Sequence, residues 1–128
     1  MAGMKGIMSK GLVARTGNSL NGLRAVLKGE WAFRADLAVF AVASVVACAI
    51  PGLSWGERAV MIYSVFMSIP AELANTAIEK TVDRISLERH PLSGTAKDIG
   101  SALVCATFVG AGICWLVILL GWALRTFD

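Results

Sequence analysis

The sequence has few charged residues, and two long segments have none at all. Aspartate, glutamate, lysine and arginine make up 16% of the 128 residues, whereas 56% are hydrophobic, and the mean hydropathy is +0.68. A soluble domain of this length has too much surface to cover with so little charge. The composition therefore favours a membrane protein over a soluble one.

Several motifs of soluble proteins are also missing. The three cysteines have no CxxC spacing, so we expect buried, inert thiols rather than disulfides or metal ligands. There is no GxxxxGK[ST] phosphate loop and no soluble kinase signature. No basic cluster resembles a nucleic-acid motif, and the net charge of +3 fits a protein that faces anionic lipid headgroups. Nucleic acid is therefore not expected as a partner.

The two uncharged segments are long enough to cross a membrane. Leu37–Gly56 has 20 residues and Ile99–Leu124 has 26, and about 20 helical residues cross a hydrocarbon core of about 30 Å. Between them, Ala59–Ala71 is uncharged but too short to span unless the helix continues past Glu72 and Glu79. The pattern predicts an all-α membrane protein that forms a single domain over residues 1–128, with three transmembrane helices at about 36–56, 59–84 and 98–124.

An amphipathic segment precedes the first predicted span. An apolar stripe recurs there at helical spacing, formed by Leu20, Leu23, Leu27 and Trp31. Basic residues lie off this stripe, as is typical of a helix that lies in the membrane interface. The pattern predicts a surface helix over about 5–34, which Gly17-Asn18 could interrupt.

Lysine and arginine are unevenly distributed. Six precede the first predicted span and four (Lys80, Arg84, Arg89 and Lys97) lie from the last turns of the second to the start of the third, whereas Arg58 and Arg125 stand alone in the two remaining segments. Cytoplasmic segments of membrane proteins carry an excess of these residues. We therefore expect the N-terminus and the loop at 84–98 to be cytoplasmic and the C-terminus to lie on the opposite side.

Carboxylates form a polar stripe along the predicted second span. At 100° per residue, Glu72, Asn75, Glu79 and Asp83 fall on one narrow face. Ionisable residues at membrane depth indicate a functional site by default. Glu72 lies deepest and has no basic residue at helical spacing on its own helix. Glu79 could hold a divalent ion together with Glu30, because Mg²⁺ prefers carboxylate oxygens and usually keeps substrate phosphates as further ligands.

The segment SGTAKDIGS, residues 93–101, leads into the third predicted span. Lys97 is a point charge suited to phosphate oxygens. A metal site, a phosphate-binding lysine and a deeper carboxylate together predict phosphoryl transfer at a membrane surface. A purely structural interpretation also stays open, in which Lys80 and Asp83 form a local helix pair and Lys97-Asp98 ends a helix at the headgroups.

Four motifs resemble those of the prokaryotic integral-membrane diacylglycerol kinases. They are GLRA at 22–25, ExAFR at 30–34, ExxN(S/T)AIExxVDR at 72–84 and SGxAKDxGSA at 93–102. They occur in the right order and spacing over most of the chain. The resemblance implies three transmembrane helices, a surface helix and a homotrimer with active sites between subunits. It also implies ATP-dependent phosphorylation of diacylglycerol to phosphatidic acid in the bacterial inner membrane.

The same resemblance implies roles for individual residues. Glu72 matches the catalytic base, and Glu30 and Glu79 match the ligands of the Mg²⁺ that accompanies ATP. Besides these two glutamates, the positions matching the ATP site are Gly11, Asn18, Glu88, Arg89, His90, Lys97 and Asp98. Besides Glu72, those matching the lipid site are Ser19, Arg24, Arg34, Ser101 and Trp115. Asn75 and Asp83 occupy supporting positions.

The sequence departs from the family pattern in two places. Pro70, two residues before Glu72, is expected to kink the second span because proline donates no backbone hydrogen bond. In the surface helix, Gly11 and Asn18 stand where the family uses basic and aromatic residues.

Two other functions remain open from the sequence. An undecaprenol kinase of the same fold family would keep the mechanism and change the lipid. A non-catalytic membrane protein, such as an ion-conducting or scaffolding trimer, would use the carboxylates as an intramembrane ring. The latter explains neither Lys97-Asp98 nor the spacing of the motifs.

Overall fold

A computed structural model shows an all-helical chain. It describes the backbone of residues 2–127 and the side chains of residues 14–127. There are five helices, namely α1 (Ala2–Gly29), α2 (Trp31–Ala49), α3 (Trp55–Phe66), α4 (Ser68–Ile85) and α5 (Pro91–Phe127). No strand occurs within residues 2–127. The predicted all-α class is confirmed.

The described residues fall into two compact units, one up to Trp31 and the other from Ala32 onward. In the first unit, α1 passes through Gly17-Asn18 without a break and ends at Gly29, rather than near residue 34 as predicted. Glycine is a poor helix former, and it stands at this end. Leu20, Leu23 and Leu27 are all exposed along α1.

Arg58 closes the connection between α2 and α3. Its Nη1 donates hydrogen bonds to the carbonyls of Ala47 (2.7 Å) and Cys48, its Nη2 donates to Ile50 (2.7 Å) and its Nε to Leu53 (3.3 Å). The last carbonyls of a helix have no partner within that helix, and hydrocarbon supplies none. The guanidinium therefore caps the C-terminus of α2 and fixes the chain that leads into α3.

A capping box starts α3 and ties it to the end of α5. The Glu57 N–H donates to Ser54 Oγ (3.2 Å), and Glu57 Oε2 accepts from the Ser54 N–H (2.8 Å). Arg125 Nη2 donates to Glu57 Oε1 at 2.6 Å. Trp122 Nε1 donates to the Pro51 carbonyl at 2.7 Å, beside the turn at Gly52, whose φ is +79°. These bonds hold the α2–α3 turn against α5.

The second predicted span is two helices, α3 and α4, which meet at Met67. Met67 keeps helical torsion angles, with its N–H bonded to the Tyr63 carbonyl (3.2 Å), and its own carbonyl accepts from the Ala71 N–H (3.4 Å). Pro70 has no N–H to donate to Phe66, four residues earlier, which is the last residue of α3. The proline therefore accounts for the break, and α4 begins one turn before Glu72.

Many large apolar side chains lie on the outside of the second unit. Two of the described helices, α2 and α5, are long and apolar enough to cross a membrane. Large apolar side chains are exposed along both, including Val42, Val45, Leu116 and Val117. The buried residues of α4, by contrast, are mostly polar. At about 1.5 Å per residue, α5 is also longer than a hydrocarbon core of about 30 Å, so a spanning α5 projects beyond it.

Loss of the Arg58 cap should destabilise the fold. Arg58→Met keeps much of the side-chain length but leaves four carbonyls without a donor, and we expect the free energy of unfolding to fall by about 2–4 kcal/mol. Unfolding in mixed detergent micelles measures this. Arg125→Met is the matched control, because an exposed ion pair is worth less than about 1 kcal/mol. Equal losses in the two variants would contradict the capping role.

The Glu57 cap should make stability depend on pH. The Ser54 backbone N–H, then the Ser54 hydroxyl and then Arg125 lower the pKa of Glu57 from 4.5 to about 2. A carboxylate whose pKa is lower in the folded state stabilises fully above its unfolded pKa, and that stability is lost as the pH falls through the folded value. The difference in free energy of unfolding between the protein and Glu57→Gln should stay constant above about pH 5 and shrink toward pH 2. If the difference in free energy of unfolding between the two proteins did not depend on pH, the stabilising role of the Glu57 carboxylate would be refuted.

Candidate active site

The polar face of α4 runs from a buried end to an exposed one. Glu72 is only 7% exposed, and Asn75 and Thr76 beside it are also buried. Glu79, two turns further on, is half-buried, and Asp83 is exposed. Burial of the three carboxylates therefore decreases along α4 from Glu72 through Glu79 to Asp83.

Asn75 links this face to Glu79 and to α5. Its Nδ2 donates a hydrogen bond to Glu79 Oε1 at 3.2 Å. Its Oδ1 is buried without a hydrogen bond and lies against Gly100 of α5. Helices α4 and α5 form the most extensive helix–helix contact among the described residues. The orientation of the Glu79 carboxylate therefore depends on how α4 and α5 meet.

An open cavity of about 500 Å³ lies where the end of α4, the loop and the start of α5 meet. Its lining includes five residues singled out from the sequence, namely Asp83, Glu88, Arg89, His90 and Lys97. Asp98 is exposed and does not line it, and neither does Glu72. Four of the positions matching the nucleotide site are thus brought together.

Lys97 is paired with Asp83 across this cavity. Its Nζ lies 2.6 Å from Asp83 Oδ1, with the two side chains 38% and 47% exposed respectively. The sequence suggested Lys80 as a helix partner of Asp83, and the pairing of Asp83 with Lys97 joins α4 to α5. The ammonium group is therefore fixed at the cavity wall, in contact with solvent.

His90 caps the start of α5. Its Nδ1 accepts a hydrogen bond from the Leu92 N–H at 3.2 Å, and Pro91, which has no N–H, occupies the first helical position. An accepting nitrogen carries no proton, so the neutral imidazole bears its N–H at Nε2. His90, which lines the cavity, thus has its Nε2–H as a hydrogen-bond donor.

The residues matching the lipid site are spread over several helices. Ser101 is exposed on α5. Trp115 is half-buried, and its Nε1 donates to the Met61 carbonyl at 3.1 Å. The indole also lines an apolar groove of about 420 Å³ with α2 residues that include Val39 and Val42. Trp115 thus joins three helices, two of them the walls of the groove.

In the first unit, the predicted site residues of α1 are exposed. Asn18, Ser19 and Arg24 all point to solvent, and Ser19 Oγ donates to the Arg15 carbonyl at 3.1 Å. Glu30, the single residue between α1 and α2, is half-buried, and its N–H donates to the Val26 carbonyl at 2.8 Å. Gly11 lies outside the residues whose side chains are described. Arg34, on α2 in the second unit, is exposed.

Comparison with known proteins decides the family. The family model for prokaryotic diacylglycerol kinase matches residues 17–119. The chain belongs to the prokaryotic diacylglycerol kinase family. It is 45% identical to a diacylglycerol kinase of Pseudomonas aeruginosa over 112 residues, which cover 88% of this chain and 90% of the relative. It is 40% identical to the Escherichia coli K12 enzyme of that name over 108 residues, 84% and 88% of the two chains. The resemblance of the four motifs is therefore confirmed.

Enzymes of the kinase class generally use a divalent ion, which carboxylate oxygens of the site would hold. Among the side chains of residues 14–127, no group of three histidine, cysteine, aspartate or glutamate residues could hold a metal. Mg²⁺ at nucleotide sites is usually held by one or two carboxylates, with phosphates and water completing the shell. Half-buried Glu79, with its carboxylate oriented by Asn75, fits such a partial protein donor set.

Two buried polar residues were not singled out from the sequence. Asp36 on α2 lies beside Ser68 at the start of α4. Ser68 is 1% exposed, yet neither its Oγ nor Asp36 Oδ2 has a hydrogen bond. An aspartate at the edge of an apolar segment was the available signal for Asp36. Nothing in the sequence distinguished Ser68 from an ordinary helix serine, because its proximity to Asp36 depends on how α4 lies against α2.

Proposed function

We propose that this protein is an ATP-dependent diacylglycerol kinase that makes phosphatidic acid. The relatives from Pseudomonas aeruginosa and Escherichia coli bear the name diacylglycerol kinase. The observation that carries the proposal is the burial of Glu72 on the polar face of α4, above a solvent-open cavity that gathers Lys97 and His90. A carboxylate between an apolar exterior and a polar cavity suits the transfer of phosphate to a lipid.

Glu72 is the proposed general base. It accepts the proton of the lipid hydroxyl as the hydroxyl oxygen attacks the γ-phosphorus of ATP, so that a new P–O bond forms while the bond from the γ-phosphorus to ADP breaks. A base must lie within hydrogen-bond reach of the proton it takes. Diacylglycerol carries its hydroxyl at the headgroup boundary, which a residue at the deep end of this polar face would meet.

The cavity at the start of α5 is the proposed nucleotide site. Lys97 would pair with phosphate oxygens, and His90 would offer its Nε2–H. The remaining proposed contacts are Glu88, Arg89, Asp98, Asn18 and Gly11. Because Lys97 already lies 2.6 Å from Asp83, the ammonium is held in place before ATP arrives.

Glu79 and Glu30 are the proposed ligands of the Mg²⁺ that accompanies ATP. When bound, the ion would neutralise charge on the phosphates during transfer. Asn75 supports the site by donating to Glu79. The protein's own contribution is to keep one Glu79 oxygen bonded and leave the other available.

The lipid would lie along the apolar side of the second unit. The groove lined by Trp115 and the α2 valines has an apolar lining that suits an acyl chain. Ser101, Ser19, Arg24 and Arg34 are the proposed polar contacts of the glycerol region. The arginines would also face anionic headgroups.

Assembly into a homotrimer in the bacterial inner membrane completes the proposal. Helices α2, α3–α4 and α5 would form three crossings at about 36–56, 59–84 and 98–124 of one domain, with α1 on the surface, the N-terminus cytoplasmic and the C-terminus outside. Exposed apolar faces on α2 and α5 support contacts beyond one protomer. Glu30 would then reach the site from a neighbouring subunit.

The decisive test is ATP turnover by the purified protein in mixed micelles with Mg²⁺. Diacylglycerol should stimulate turnover, and neither undecaprenol nor the absence of lipid should do so. A preference for undecaprenol would contradict the substrate while keeping the mechanism. Turnover with no lipid preference, or Mg²⁺-independent ion flux without turnover, would contradict both the proposed substrate and the proposed mechanism.

Glu72→Gln should lower turnover by about 100- to 10,000-fold while leaving assembly intact, because the amide cannot accept the proton as a base. Thr76→Val is the matched control, since Thr76 is buried one turn away on the same face and has no proposed role. It should retain activity within about threefold. Comparable activity in Glu72→Gln and the control would refute the role of Glu72 as the general base.

Lys97→Met should raise the KM for ATP by at least about tenfold and leave the KM for the lipid unchanged, because a phosphate contact to a charged donor is lost. Asp83→Asn removes the other half of the ion pair but keeps the ammonium, so its effect on the KM for ATP should be several times smaller. Steady-state kinetics of the two variants measures this. Equal increases in the KM for ATP in Lys97→Met and Asp83→Asn would contradict the phosphate contact. The ion pair would then serve only to hold α4 against α5.

A further inference from the structure

Gly100 on α5 is the residue that lets α5 approach the site on α4. A Cβ added at Gly100 would lie 2.4 Å from Asn75 Oδ1 and 3.4 Å from Asn75 Cγ. Cβ contacts shorter than 3.0 Å essentially never occur in proteins. Gly100 is also buried, unlike most residues of α5. The space above its Cα is therefore occupied by the Asn75 amide.

The amide cannot turn to avoid this contact without losing its bond to Glu79. Nδ2 donates to Glu79 Oε1 at 3.2 Å, and carboxylate oxygens only accept hydrogen bonds unless protonated. The NH₂ end must therefore face Glu79, which directs Oδ1 toward Gly100. There Oδ1 is buried without a hydrogen bond among the described residues, which is an unfavourable arrangement. The hydrogen bond to Glu79 fixes the orientation of the Asn75 amide, and the absence of a side chain at Gly100 leaves room for it.

Other glycines of α5 do not share this requirement. A Cβ at Gly110 or Gly112 would meet nothing within 4 Å among the described atoms. Alanine is the better helix former, so helix propensity gives no reason for glycine at any of these positions. The close approach of the Asn75 amide is specific to Gly100.

We propose that Gly100 is a positioning residue for the phosphoryl-transfer site. By having no side chain, it allows the Asn75 amide to hold the Glu79 carboxylate in the orientation used for the divalent ion of Mg·ATP. This inference rests on the proposed role of Glu79 as a metal ligand. Gly100 itself touches neither the ion nor the substrates.

Gly100→Ala is the direct test. The atom that a new methyl group would meet is the end of a side chain, so the Asn75 amide should rotate away while the helices stay packed, and the trimer should still assemble. The Mg²⁺ concentration for half-maximal ATP turnover should rise by about tenfold or more, as is typical when the partner of a metal ligand is lost. The KM for diacylglycerol should not change. Gly110→Ala, the matched control, should behave as the unmodified protein.

A second readout needs neither metal nor turnover. The ¹⁵N side-chain amide signal of Asn75 is identified by its loss in Asn75→Ala. It should shift in Gly100→Ala and stay in place in Gly110→Ala. In the Asn75→Ala background, adding Gly100→Ala should change the Mg²⁺ dependence by less than about twofold, because the two residues act through one contact.

The outcomes separate this inference from the proposed function. An unchanged amide signal and unchanged Mg²⁺ dependence in Gly100→Ala, or additive effects of the two substitutions, would overturn the role of Gly100. If the amide signal shifts but Glu79→Gln keeps the Mg²⁺ dependence of the unmodified protein, the contact stands. The metal role of Glu79, and with it the positioning role of Gly100 at the active site, is then wrong.

Discussion

The need to satisfy backbone carbonyls at the ends of helices shapes this structure. Arg58 is the clearest case, because one guanidinium serves the carbonyls of Ala47 and Cys48 in the last turn of α2 and those of Ile50 and Leu53 just beyond it. The last carbonyls of a helix have no partner within that helix, and a buried carbonyl left without a donor costs about 1–3 kcal/mol. The cap, the Ser54 box and the Trp122 bond to Pro51 together make the α2–α3 turn a fixed end from which α3 and α4 return.

Helix α4 is the place where this rule is relaxed. Its interior side carries Ser68, Glu72 and Asn75, and two of these have a side-chain oxygen with no hydrogen bond among the described residues. A buried oxygen without a hydrogen bond lowers the stability of the fold. Such groups are therefore expected at functional sites more than in parts of the protein that serve only stability. This side of α4 faces α5, since the amide of Asn75 lies against Gly100.

Much of this arrangement is readable from the sequence because it depends on local pattern. The charge-free segments mark α2 and α5, and the 3.6-residue period places Glu72, Glu79 and Asp83 on one face. Contacts between helices leave no such pattern. The Arg58 cap and the proximity of Asp36 to Ser68 depend on where the chain turns, and Arg58 reads in sequence only as a charge outside a span. Gly100 is one of 13 glycines, and only the neighbouring Asn75 distinguishes it.

The spacing along α4 links the two halves of the proposed reaction. At about 1.5 Å per residue, Glu79 lies about 10 Å along the axis from Glu72, and Asp83 about 6 Å further. In the proposed reaction, a lipid hydroxyl would reach the buried end, whereas a nucleotide would enter through the exposed cavity that Asp83 and Lys97 line. The phosphate chain would then extend from that cavity past Glu79 toward Glu72. Because a single helix carries all three carboxylates, backbone geometry would set the distance between the two substrates.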